Sequence, residues 1–141
     1  MKLKLICLIL FLAAPFRSSA QDTVLFRLSE QQILKMLPKY REVSRDTFPH
    51  EFSSRVTLKK KGSNEKLQLS FFGGICTSVT HFRKKSMLAS MIRAANEKHE
   101  RIGEKTWRSK DKKFEVFIHG TAEHAMSIYT MGVSDFGSFL K

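Results

Sequence analysis

Three groups of residues in this chain carry side chains able to do chemistry. The first is a cysteine, Cys76, inside the run GGICTSVTHF at 73–82. A thiol attacks as its thiolate, and a helix N-terminus, a nearby cation or a histidine is needed to lower its pKa. Read as a regular strand, the run puts Cys76, Ser78, Thr80 and Phe82 on one face and Ile75, Thr77, Val79 and His81 on the other. Cys76 then has only hydroxyl side chains beside it, with His81 across the strand. It is expected to be a packing residue, since unpaired cysteines are commonly buried.

The second group is His119-Gly-Thr-Ala-Glu-His124, two histidines and Glu123 around a hairpin loop. Imidazole and carboxylate are ordinary zinc ligands, but this spacing matches no established ligand motif, and no metal is expected. The same histidines with Glu115 or Glu123 could do acid–base work on a phosphodiester. That makes a small secreted hydrolase of nuclease type the alternative reading. The third group is aromatic and basic. Phe117, His119 and Tyr129 fall at outward positions of the last strands, and Lys59 and Lys66 fall on the wet side of an earlier hairpin. These five are the expected ligand-binding residues.

Other chemistry is missing from the pattern. Gly73-Gly74 lacks the further glycines and the strand-to-helix setting of a phosphate-binding loop, and there is no Gly-x-Ser-x-Gly elbow. No catalytic residue and no cofactor are therefore expected.

The chain opens with Lys2 and Lys4, an apolar run from Leu5 to Ala14, and the small residues Ser18-Ser19-Ala20. These are the parts of a secretory leader, and cleavage is expected after Ala20. The apolar run is about half the ~20 residues that span a bilayer, so no membrane anchor is expected after cleavage. The Ser-Ser-Ala-Gln junction resembles the signal ends of bacterial exports, which implies the periplasm or the cell exterior. Cys7 would leave with the leader, so Cys76 has no internal disulfide partner and the fold must rest on its apolar core. Residues 21–141 suit one small domain. Losing Lys2, Lys4 and Arg17 takes the formal charge from +12 to +9, still strongly basic. That balance favours anionic partners, such as an acidic glycan, lipid headgroups or an envelope protein.

The elements that must position these groups can be read in order. Ser29-Glu30-Gln31-Gln32 forms a capping box ahead of Ile33, Leu34 and Leu37, and Pro38 stops the short helix. Residues 39–54 read as a polar loop. From Arg55 the period becomes two: Val56 and Leu58, then Leu67, Leu69 and Phe71, form the dry face of a hairpin turned at Lys61–Asn64. Ser86 is placed to cap a long helix carrying Leu88, Met91, Ile92, Ala95, His99 and Ile102 up to Gly103. Lys113–His119 and Ala125–Met131 read as closing strands, with Met126 and Ile128 sharing the face of Phe114, Val116 and Ile118, and Thr106–Arg108 is an optional short third. The tail carries Phe136, Phe139 and Leu140, enough to dock on the body.

Short turns make the strands antiparallel, and one long amphipathic helix covers one sheet face. The expectation is an α+β two-layer sandwich: about five antiparallel strands, one long helix on one face, and a short N-terminal helix. The helix leaves the other face, with Phe117, His119 and Tyr129 on it and Lys59 and Lys66 beside it, either covered by the terminal segments or open as a binding face. Function is expected to be binding rather than catalysis, with an anionic partner on that face. A structural or inhibitory role toward another envelope protein is a third class, though an inhibitor of a basic enzyme would more naturally be acidic.

Overall fold

The computed structural model describes residues 24–132. The expected leader, its expected cleavage junction and the apolar tail residues Phe136, Phe139 and Leu140 lie outside the described residues.

The capping box forms as its residue types require: Ser29 Oγ accepts from the Gln32 amide, and Gln32 Oε1 accepts from the Ser29 N–H at 2.8 Å. Helix α1 (Glu30–Met36) follows, with Ile33 fully buried beneath it. Strands β1 (Tyr40–Phe48), β2 (Ser53–Lys60), β3 (Lys66–Phe72) and β4 (Ile75–Lys84) then form an antiparallel meander. Gly73 and Gly74, both at positive φ, make the two-residue β3–β4 turn, a geometry that side chains with a Cβ resist. A 3-10 turn, Lys85–Met87, leads into helix α2 (Leu88–Lys98). Four more strands complete the sheet: β5 (Glu100–Arg101), β6 (Thr106–Arg108), β7 (Phe114–Gly120) and β8 (His124–Met131).

The sheet has eight strands in the order β1-β2-β3-β4-β8-β7-β6-β5. Each half is a helix followed by a four-stranded meander, and the halves meet along the antiparallel β4–β8 pair. Both helices lie on one face. Under α1, Val56, Leu58, Leu67, Leu69, Cys76 and Val79 form one core cluster. Under α2, Ala95, Trp107, Val116 and Ile118 form the other, and Trp107 Nε1 donates to Asn96 Oδ1 of α2 at 2.8 Å. Tyr129 packs against both clusters, within a line of rings running His99, Phe114, Tyr129, His81.

The α+β class and the antiparallel sheet are as expected, but the sheet is larger than five strands. One added strand is β1, where a loop was expected. Its burial explains the difference: Tyr40 is buried and the other eight residues are exposed, so no alternation is written into the sequence. The strand is held by its ladder to β2 and by Arg45, which donates to Glu30 on α1 and to Glu42 in its own strand. The others are β6, the optional short strand, and β5, two residues that pair with β6 where the long helix was expected to continue. Helix α2 ends at Lys98 because His99 is extended, so Ile102 is not on it. Ser86 sits in the 3-10 turn and caps nothing; α2 has no side-chain cap at its start.

Two face assignments also change. The β3–β4 register shifts between Ser70 and Phe71, so Cys76 pairs with Phe71 and joins the buried side of Val79 and His81. One extra residue in a strand moves everything beyond it to the other face. In β8, Ala125, Ser127, Tyr129 and Met131 pair with the helix-side residues of β4 and β7, and Met126 and Ile128 face away. Tyr129 is therefore under the helices and does not lie on the open face.

Candidate functional site

The face of the sheet opposite the helices carries no described element. Its side chains can be placed row by row from the strand register, because residues paired across antiparallel strands point to the same side. One row runs Arg41, Lys59, Lys66, Phe82, Met126, His119 across β1, β2, β3, β4, β8 and β7. The next runs Ser44, Thr57, Gln68, Thr80, Ile128, Phe117, Thr106. On the far side of the first row, Lys84 pairs with His124.

The first row changes character along its length. Its β1–β3 half is cationic, and its β4–β7 half is apolar and aromatic. Adjacent strands stand roughly 4.8 Å apart, so Arg41, Lys59 and Lys66 present three cations over about 10 Å. The β2–β3 turn extends this end into a shallow depression lined by Arg41, Lys59, Lys61, Gly62, Ser63 and Asn64. Beside it, Phe82 meets His124 edge-on, and Phe117 stacks on His119 with ring centroids 6.0 Å apart. Phe117 is 38% exposed, while Thr80, between Gln68 and Ile128, is buried.

The acids that could neutralise this end are engaged elsewhere. Glu30 and Glu42 hold Arg45, Glu65 holds Lys60, and Glu115 holds Arg108 at 2.8 Å. Among the described residues, Arg41, Lys59, Lys66 and Lys84 make no ion pair.

Of the five expected ligand-binding residues, four share this face: Phe117, His119, Lys59 and Lys66. Tyr129 does not. Sequence reasoning missed Arg41, Phe82 and Met126. Arg41 was hidden by the absence of alternation in β1, and Met126 by the wrong face in β8.

The residues considered for acid–base chemistry are not brought together. His119 and His124 are on the open face, and His124 Nδ1 is 3.9 Å from Glu123 Oε2, a carboxylate that is 83% exposed. Glu115 is four residues from His119 along β7, roughly 13 Å away, and is committed to Arg108. Among the described residues no cluster of histidine, cysteine and carboxylate side chains is arranged to hold a metal ion. Cys76 is fully buried, its Sγ 3.6 Å from the Ser78 carbonyl oxygen, and burial pushes its thiol up to about 12. A thiol so placed is a packing group, not a nucleophile.

Comparison with known proteins finds no matching family model, curated protein or solved structure. No described helix is long and apolar enough to cross a membrane.

Proposed function

We propose that this chain is an exported bacterial binding protein, not an enzyme, whose open sheet face takes an acidic glycan. The observation that carries the reading is the cross-sheet row from Arg41 to His119, in which cations without ion pairs among the described residues adjoin a flat apolar bed. Sulfate or carboxylate groups meet Arg41, Lys59 and Lys66, while the apolar faces of sugar rings lie on Phe82, Met126 and Phe117. Flat rings of amphipathic character suit such contacts. The leader-like opening of the sequence supports export, and the basic balance supports an anionic ligand over a neutral one.

Titration with a sulfated glycan and with its unsulfated parent tests the reading. The sulfated form should bind at physiological salt, and Lys59→Glu with Lys66→Glu should abolish binding. Phe117→Ala should weaken it about tenfold, or ~1.4 kcal/mol. Binding that is equal for all polyanions and fades with salt would reduce the charge to a generic effect and sink the proposal.

A further inference from the structure

A second candidate site lies on the other side of the sheet. Helix α1 covers β2–β4 and α2 covers β6–β8, so the seam between the halves is left as a groove. It has a volume of about 490 Å³, inside the roughly 300–1,000 Å³ range of small-molecule sites. Its floor is Val116, Ile118 and Tyr129, and its α2 wall is Met91, Ala94 and Ala95. Methionine adapts its shape to irregular apolar ligands better than branched side chains do.

The charged residues of the groove are Lys60, Arg83, Lys98 and Glu65. Glu65 is already answered, because it accepts from Lys60 Nζ at 3.1 Å and from the Tyr40 hydroxyl at 2.7 Å. Arg83 and Lys98 make no ion pair among the described residues. Arg83 comes from β4 and Lys98 from the last turn of α2, and both line the same groove. An apolar trough with two uncompensated cations is complementary to one alkyl chain carrying one negative head.

We propose that this groove binds a free fatty acid, its alkyl chain along Met91, Ala94 and Ile118 and its carboxylate between Arg83 and Lys98. A carboxylate forms bidentate contacts with a guanidinium and further contacts with an ammonium, which a neutral head cannot match. Burying the chain supplies about 0.8 kcal/mol for each methylene, so affinity should climb with chain length until the groove is full.

Dodecanoate, below its micellar concentration, is the probe, titrated calorimetrically into protein expressed from the full sequence. Dodecyltrimethylammonium is the charge-inverted control. Saturable binding at one site by dodecanoate alone is expected. Arg83→Glu with Lys98→Glu should weaken it by more than tenfold, and Ala94→Trp, which fills the trough, should remove it. Near-ultraviolet circular dichroism establishes that each variant is folded, and the charge variant keeps the test decisive if the tryptophan is not accommodated. Failure to bind dodecanoate, equal binding of the cationic amphiphile, or binding unchanged in both variants would each overturn the proposal. Ala94→Trp leaves the open face and its charge untouched, so sulfated-glycan binding should survive in that variant. The two sites therefore stand or fall separately.

Discussion

At the scale of the residue, position on one face or the other decides what a side chain is for. Phe117 and Tyr129 look alike in the sequence, each one aromatic in a closing strand. Tyr129 bridges the two core clusters, so Tyr129→Ala should cost about 3 kcal/mol, as large-to-small core changes do. Phe117→Ala should leave thermal stability within about 1 kcal/mol, since its ring lies outside both core clusters and is 38% exposed. Comparing the melting temperatures of the two variants checks both expectations, and a destabilised Phe117→Ala would show that this ring is covered. Cys76 makes a pH prediction. Its thiol is raised from an ordinary value of 9.0 to about 12, chiefly by burial. The neutral thiol is the form the fold prefers, so its contribution to stability is complete below about pH 9. That contribution is lost as pH rises from 9 toward 12, where the unfolded chain ionises first. Native labelling by a thiol reagent at pH 8 should be slow and should become fast in denaturant. Fast native labelling would contradict the burial.

At the scale of the element, what was legible followed from alternation and caps. The α1 capping box, the β2 and β3 dry faces and β7 could all be read, because burial on one side writes a period into the residues. Strand β1 could not, since eight of its nine residues are exposed. Strand β8 misled for a different reason: Met126 and Ile128 are more apolar than Ala125 and Ser127, yet the register buries the smaller pair. The small residues are the ones that fit beneath the helix, where α2 comes close. At Gly120, paired with Ala125, a Cβ would stand 2.8 Å from Leu88 Cδ2. A tighter constraint sits at the other end of β8. A Cβ on Gly132 would come within 2.5 Å of the Lys112 carbonyl oxygen, in a turn that also accepts the Gly132 N–H at Lys113. Backbone cannot swing aside as a side chain can. Gly132→Ala should therefore cost about 1–3 kcal/mol and lower the melting temperature by several degrees. An unchanged melting temperature would show that this turn yields.

At the scale of the whole molecule, the sheet is one surface assembled from two helix-plus-meander halves. The repeat was invisible in the sequence because its members differ: β1 and β2 are long, whereas β5 and β6 are two and three residues. For the same reason the candidate row was only half legible. Lys59, Lys66, Phe117 and His119 could be named, but that they share one face depends on the β4–β8 pairing, which no local pattern encodes. An open sheet of this kind also has two rims. The β5 rim is too short to matter. The β1 rim is nine residues of backbone with one side unpaired among the described residues, the geometry on which a second copy of a chain can add itself and start a fibril. Arg41, Glu42, Arg45 and Asp46 break it up with charges of both signs. Replacing all four with threonine should turn a clear solution turbid and raise thioflavin fluorescence; a monodisperse variant at the same concentration would refute this. The strand that was hardest to read from sequence is thus the one whose polarity is expected to guard the rim against polymerisation.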